Sequence, residues 1–527
     1  MRKPYQICLS MLLVCLVPAV ASAQSFRVQC PTSTITHPTA ANNNSEPAYA
    51  GPTYAGTSGY PAAPAHVNGA IKCQQISGGD GYSTMGDGTQ TYMFSFGPLS
   101  GISDISNGLP GSEFPSVFNT VTTSLLQPGD PATTGTTYNG AVGLVPNLDA
   151  LAAGSCTGPC LDGHVDPRQI MDVGVMNGNI PAPLMAIDED DEFFLTLTNV
   201  GMIMRPDLFE QHTVHFHGYP NASSFYDGVP DASVAINIGA SFTYYYLAPD
   251  AGTYFWHCHI TPPEHLQMGM VGQLYVRPRQ NRATGALYTA LQAQQGDLRT
   301  ACRRPGDGAS PAVSSATDIL CSNPVPAVVT TATGGGKYAY NDGDGSTAYD
   351  VEYPIQIHGF DPSFHFIGMT FNPEEFADMK DKFFLLNGRS YPDTVTPGPL
   401  KTQSADGVNH FSQPLPTIIN IPAGKKALLR ISDLDVTEYQ TLASIGIPMN
   451  VIGINAKLLR DQAGNNLNYN TNSITLAGGE SLDVILDATD TTKYPSGSVF
   501  YLYTPNLDHL SNDAENFGGL MTEVHIN

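Results

Sequence analysis

Two short stretches hold the residues best able to do chemistry. Tyr254–Met270 reads Tyr-Phe-Trp-His-Cys-His-Ile-Thr-Pro-Pro-Glu-His-Leu-Gln-Met-Gly-Met, with Cys258 between His257 and His259. His265 follows seven residues after the cysteine and Met270 five after that. Upstream lies His212-Thr-Val-His215-Phe-His217-Gly218. Two imidazoles and a thiolate in a plane, with a thioether weakly on the axis, are the ligand set of a blue-copper electron-transfer site. Successive residues of a strand face opposite sides. His215 and His217 therefore share one face, and so do His257 and His259, while Cys258 points the other way. One face can gather a histidine cluster and the other a thiolate-bound metal, with the covalent chain through Cys258 as a short electron path between them. A lone histidine is more often a satisfied core or surface residue. Six histidines and a cysteine at matched spacing are too many for that reading. Zinc also takes His and Cys, but the methionine at ligand spacing argues for copper.

The elements that must position these residues read as β-structure. The chain has 527 residues with Gly 52 and Pro 41, which suits strands joined by many turns. Residues 24–85 are rich in small and polar residues and read as a low-complexity extension, partly ordered at best. Thr91–Phe96 reads as the first strand. Residues 99–165 are loop-rich and read as an insertion or functional cover. Phe193, Leu195 and Leu197 alternate with Phe194, Thr196 and Thr198, the pattern of a half-buried strand. Ser241–Leu247, Gly252–Trp256 and Gly272–Val276 complete a first domain over 86–280. Residues 281–350 form a connection with a possible short helix over Ala283–Cys302. A second β-domain spans 351–527, with strands at Phe383–Leu386, Thr417–Ile421, Lys426–Ile431, Ser473–Leu476, Leu482–Leu486 and Val499–Tyr503. Pro422-Ala-Gly424 and Ala477-Gly-Gly479 supply turns. No long amphipathic helix is expected.

Arg2 and Lys3, an apolar run from Ile7 to Ala19, and Ala21-Ser22-Ala23 read as a secretory signal over residues 1–23. No other apolar run approaches the ~18 residues of a membrane span. The chain is expected to be exported, to a periplasm or the outside. Removing the signal leaves seven cysteines: Cys30, Cys73, Cys156, Cys160, Cys258, Cys302 and Cys321. With Cys258 set aside as a ligand, six remain for disulfides. Local guesses are 156–160 and 302–321, with 30–73 left over. Three pairs of free thiols is the alternative. A formal net charge of −24 argues against nucleic-acid binding and would draw in cationic reductants, although solubility alone explains it as well.

On these motifs the chain resembles the multicopper oxidases, which are built of cupredoxin domains. The resemblance implies an all-β protein with two Greek-key β-sandwich domains, over roughly 88–280 and 351–527. It implies that His212, Cys258, His265 and Met270 hold type 1 copper, with Met268 an axial rival. His215 would hold type 2 copper, and His217, His257 and His259 type 3 copper. Two departures stand out. Thr213 replaces the family's proline, and seven residues rather than five separate Cys258 from His265, as if Pro262-Pro263 lengthened the loop. Copper nitrite reductases are a sister family, but they carry Asp where His215 stands and no His directly after the cysteine.

The family's trinuclear cluster takes eight histidines, and this chain's motifs offer four. The second domain has His358, His365, His410, His509 and His525, with no His-x-His pair, and these read as structural or surface residues. One expectation is an oxidase whose cluster is completed between chains, in a twofold dimer or ring, with a small-molecule or metal-ion reductant and O2 as partners. The other is an electron carrier with type 1 copper alone. Glu264, beside His265, is the sequence's one hint toward a cationic donor.

Overall fold

The computed structural model describes residues 30–49, 69–120, 139–145, 153–154, 164–165, 176–208, 210–218, 223–248, 250–295, 324–367, 376–403, 407, 409–513 and 515–527. The expected signal at 1–23 and the cysteine pairs 156–160 and 302–321 lie outside them.

Eight strands build the first sandwich: β1 (Ile71–Thr84), β2 (Gln90–Pro98), β3 (Met185–Asp188), β4 (Glu192–Gly201), β5 (His215–Phe216), β6 (Ser241–Leu247), β7 (Gly252–His257) and β8 (Val271–Arg277). They form two four-stranded sheets, ordered β2-β1-β4-β6 and β3-β8-β7-β5. The pairs β1/β4 and β3/β8 are parallel, and the others antiparallel. Phe96, Phe193, Leu195, Leu197, Tyr244, Tyr246, Trp256 and Leu274 fill the space between the sheets. Each such side chain contributes about 1.5–3 kcal/mol on burial. Cys258, Met268 and Met270 belong to the same core, so the thiolate and thioethers sit in a dry, close-packed interior.

The first strand begins earlier than Thr91. It is the 14-residue β1, inside the stretch read as a low-complexity extension. Nor is β4 half-buried: all ten of its residues are buried. Its outer face is covered by Leu99, Ile102, Phe118, Ala141 and Val142, together with the Cys30–Cys73 disulfide. The described parts of the 99–165 insertion, with helices at Ile102–Ser106 and Pro115–Phe118, thus pack under this sheet. The remaining pair from the cysteine count, 30–73, is the disulfide that pins the N-terminal segment there.

Two helices matter for the site and its surroundings. α1 (Pro262–Gln267) carries His265, and α2 (Leu287–Gln295) lies in the connection between domains, inside the expected Ala283–Cys302. The residues that lengthen the segment between Cys258 and His265 do not form a looser loop. Pro262 and Pro263 occupy the first turn of α1, where a missing N–H costs nothing and φ is already helical.

The second sandwich contains β9 (Val351–Phe360), β10 (Phe383–Leu386), β11 (Ile419–Ile421), β12 (Lys426–Asp433), β13 (Gln440–Ile445), β14 (Met449–Ile454), β15 (Ser473–Leu476), β16 (Ser481–Asp487), β17 (Val499–Tyr503) and β18 (Met521–Ile526). One sheet runs β10-β9-β12-β16-β14, with two short strands on its edge, and the other β11-β18-β17-β13-β15. Ile355, Leu429, Ile431, Val451, Val484, Leu502 and Val524 are in the core between them.

A polar seam joins the sandwiches. Thr253 of β7 donates to Asp483 of β16 at 2.7 Å, and Ser481 donates to the Thr253 carbonyl at 2.6 Å. Gln273 of β8 donates to the Arg430 carbonyl and to Ser432, both at 2.9 Å. Arg430, fully buried in β12, pairs with Glu352 at 3.0 Å. A buried charge is tolerable only when paired in this way. The second domain also grips α1: His358 bonds the Leu266 carbonyl at 2.9 Å, His365 bonds Gln267 at 3.0 Å, and Gln267 donates to Asp381.

Candidate metal centres

β5 and β7 place the histidines. They pair antiparallel with His215 opposite His257 and Phe216 opposite Trp256. Directly opposed residues share a face, so the strand register brings the two motifs together. The His217 N–H extends this edge, donating to the Phe255 carbonyl at 2.8 Å. His259 lies just past β7, where its N–H donates to Thr213 Oγ1 at 2.9 Å.

On the core side, His212, Cys258 and His265 are all buried, and their ligand atoms lie within 4.8 Å of one another. The His212 backbone is fixed by a bridge to Ile236. Its ring packs against Gly78, where an added Cβ would come within 2.6 Å of Cδ2. The Cys258 sulfur accepts the Thr213 N–H at 3.4 Å and stands 3.4 Å from His265 Nδ1. The other ring nitrogen of His265 bonds the Glu210 carboxylate. Met270 is tied by backbone to both: its N–H donates to the His265 carbonyl and its carbonyl accepts the Cys258 N–H, each at 2.9 Å. Met268 is also buried, but its N–H turns to Glu264.

On the opposite face, ring nitrogens of His215, His217 and His257 lie within 4.8 Å of one another. The His259 ring stands 5.2 Å from His215 and 5.4 Å from His257, centre to centre. His215 Nδ1 meets the Asp227 carbonyl at 2.7 Å, and His257 Nδ1 meets the Cys258 carbonyl at 2.7 Å. A carbonyl only accepts, so each Nδ1 carries the hydrogen and each Nε2 keeps its lone pair. All four expected histidines of this group come together.

Electrostatics agree. Burial holds His212 well below the usual imidazole range. Burial, then the neighbouring imidazoles, push His217 down to about 4. Burial also brings His257 to about 3, with its imidazole neighbours adding to the effect. These rings are neutral, as metal ligands must be. His265 goes the other way. Burial opposes its charge, yet its contacts with Cys258 and the Glu210 carboxylate outweigh burial and carry it up to about 10.

The residues fit copper on two observations. Among the described residues, neither ring nitrogen of the fully buried His212 has a hydrogen-bond partner, a cost of about 1–3 kcal/mol for each group unless something else binds it. His217 Nε2 and His257 Nε2 stand 3.0 Å apart. Two imidazoles bound ~2.0–2.1 Å from one metal, near a right angle, stand about that far apart. The donor sets, thiolate with imidazole and imidazole alone, are the soft and borderline ligands that copper prefers.

Several neighbours of the site went unread in the sequence. Glu210 precedes His212 by two residues and caps His265. Thr213 holds both Cys258 and His259. The Asp227 carbonyl anchors His215. Glu264, read as the acid at an exposed His265, is itself buried. His265 is 0% exposed, and its outer ring nitrogen bonds Glu210, whose side chain is 31% exposed. The histidine face opens on a cleft of about 400 Å³ whose far wall is Asp435–Tyr439 and Ala477–Gly479 of the second domain. Among the described residues, no imidazole of that domain lines it. His358, His365, His509 and His525 instead bond protein groups.

Comparison with known proteins agrees with this geometry. Residues 162–281 match the family model described as multicopper oxidase. The chain is 34% identical over 126 residues to a laccase of Aspergillus fumigatus, covering 24% of this chain and 20% of that protein. It is 36% identical over 117 residues to Laccase-1 of Emericella nidulans, covering 21% and 17%. It is 32% identical over 133 residues to a multicopper oxidase of Mycobacterium tuberculosis, covering 24% and 25%. The match therefore spans about a fifth of the length of these relatives. Among solved structures, the blue copper oxidase of Nitrosomonas europaea aligns at 19% identity and a TM-score of 0.42, over 66% of this chain and 78% of that one. Residues 162–281 are thus similar to a multicopper oxidase domain, and copper is the metal their two candidate ligand groups fit.

Proposed function

We propose that this chain is an exported multicopper oxidase, which takes electrons singly from a reductant and passes them to O2. The observation that carries this reading is the continuous covalent path His257–Cys258–His259, which joins a buried thiolate site on one face to a four-histidine site on the other. An electron carrier would use only the first of these. Copper, when bound, supplies one-electron redox chemistry at the thiolate and the four-electron reduction of O2 to water at the histidines.

The chain's own residues do the rest. Met270, His212, Cys258 and His265 would hold the blue centre in a buried core. His215, His217, His257 and His259 supply half of an eight-imidazole cluster. His215, His217 and His259 are partly exposed, which leaves them open to a second copy bringing four more, in a twofold dimer or ring. Export is supported by the signal-like start and by the Cys30–Cys73 disulfide, since disulfides persist in oxidising compartments.

The test is copper per chain, paired with visible and EPR spectra, mass in solution and O2 uptake. An oligomer with a band near ~600 nm and about 2.5 copper per chain is expected, one blue copper plus half of a three-copper cluster. A blue monomer with one copper and no O2 uptake would make the protein an electron carrier instead. A monomer with full oxidase activity would remove the shared cluster.

The reductant enters at Glu210. The His265 ring is buried, so a donor meets the carboxylate that holds its outer nitrogen. Small cationic reductants and metal ions suit that carboxylate. Glu210→Gln keeps a hydrogen-bonding amide and removes the charge. It is expected to lower kcat/KM for a cationic donor by about 10-fold, the ~1.4 kcal/mol scale of one partly exposed charge contact, with a smaller loss for a neutral phenol. Equal losses for the two donors would show that the charge plays no part in selection.

A further inference from the structure

His215 and His257 have their Nδ1 edges held by carbonyls of the first sandwich, whereas the Nδ1 edge of His217 packs against the other one. Gly479, in the turn between β15 and β16, packs on the ring: an added Cβ would lie 2.9 Å from both Nδ1 and Cε1. The turn is rigid. The Gly479 N–H donates to the Asp433 carbonyl at 2.9 Å, and the Ala477 N–H donates to the Glu480 carboxylate at 2.8 Å. Gly478 lies so close to the Asp435 carbonyl that an added Cβ would come within 2.0 Å of it. Gly479 itself has φ +89°, which a side chain would strain. From the other side, the Phe255 ring meets His217 edge to face at 4.6 Å. The imidazole is thus clamped between its own domain and the copper-free one.

We propose that the Ala477–Glu480 turn of the second sandwich is a positioning element for His217, holding its Nδ1 edge so that Nε2 is aimed at His257 Nε2. Metal occupancy of the histidine face then depends on how the ligand-free domain is docked. This rests on the histidine face binding metal, as proposed above. Outer partners of a ligating imidazole fix its tautomer and orientation, and their loss costs about 10–100-fold in metal affinity.

The test compares Gly479→Ala with Gly497→Ala in the full-length protein. Gly497 has the same φ, +89°, and nothing within 4 Å of an added Cβ, so it reports backbone strain alone. Copper(II) is titrated into metal-free protein. The band near ~600 nm reads the thiolate site, and the EPR signal of copper lacking that band reads the histidine face. Both variants are expected to keep the blue band and to lose similar thermal stability. Only Gly479→Ala is expected to weaken the histidine face, by about 10–100-fold. Equal histidine-face affinity in the two variants would overturn the proposal. Should Gly479→Ala not fold, Glu480→Ala adds no atom near the ring and frees the Ala477 N–H. It is expected to weaken the same site in the same sense, and an unchanged affinity there would overturn the proposal equally. A wild-type protein that takes up no copper beyond the blue site would remove the oxidase reading first, and this inference with it.

Discussion

Cys258→Ser is expected to abolish the blue colour and reduce O2 uptake by about 1000-fold or more, a loss of at least ~4 kcal/mol in the rate-limiting step. The sulfur lies 3.4 Å from His265 Nδ1 and receives the Thr213 N–H at the same distance. A serine hydroxyl is smaller and stays protonated in so buried a place. The site then loses both the thiolate that gives the colour and the negative charge that balances the metal. His257 and His259 keep their backbone positions, because the flanking pairs His257↔Val271 and His259 N–H to Thr213 do not involve the sulfur. Copper on the histidine face should therefore survive, read by EPR. A serine variant that kept an intense band near ~600 nm would exclude Cys258 as the ligand.

His257→Ala should do the reverse. The blue band remains, O2 uptake falls to background, and a reductant bleaches the colour without its returning in air. The His257 ring is nearly fully buried, its Nδ1 occupied by the Cys258 carbonyl and its Nε2 3.0 Å from that of His217. Removing it takes away one of three converging nitrogens, and a site left with two binds metal far more weakly. The loss is expected to match that of Cys258→Ser in turnover while differing in colour. Stopped-flow reduction followed by reoxidation in air-saturated buffer separates the two. Colour that returns at the wild-type rate would mean that O2 is reduced elsewhere.

The candidate ligands were legible in the sequence because their chemistry is local. The alternation of His215-Phe-His217 and His257-Cys258-His259 fixes which side chain faces which way, and the β5/β7 register bears it out. Strands with apolar cores, such as Ser241–Leu247 and Phe383–Leu386, were legible to the residue for the same reason. β1 was not. Its centre reads Gln74-Gln75-Ile76-Ser77-Gly78-Gly79-Asp80, polar and glycine-rich, yet all of it is buried. Several of its polar groups are met by residues of other elements: Ser77 by Asn177, Gln75 N–H by Ser100, Asp80 by Tyr92. Those partners leave no periodic trace in β1 itself. Its glycines serve the site, since Gly78 makes room for His212. The same limit hid Glu210 and Gly479, whose roles come from tertiary approach rather than from spacing along one strand. The two extra residues before His265 read as a longer loop, because Pro-Pro signals a turn as readily as the first turn of a helix.

The polar seam between the sandwiches has a genetic consequence. Thr253, two residues from Phe255 and four from His257, is bonded to Asp483 and Ser481, and the Leu266 and Gln267 that follow His265 are bonded to His358, His365 and Asp381. Neither domain can be trimmed away without leaving such groups unpaired in the other. A screen of random variants for loss of colour should therefore return hits on both sides of residue 350. Those beyond it would cluster at the seam and around α1, far from the candidate ligands in sequence.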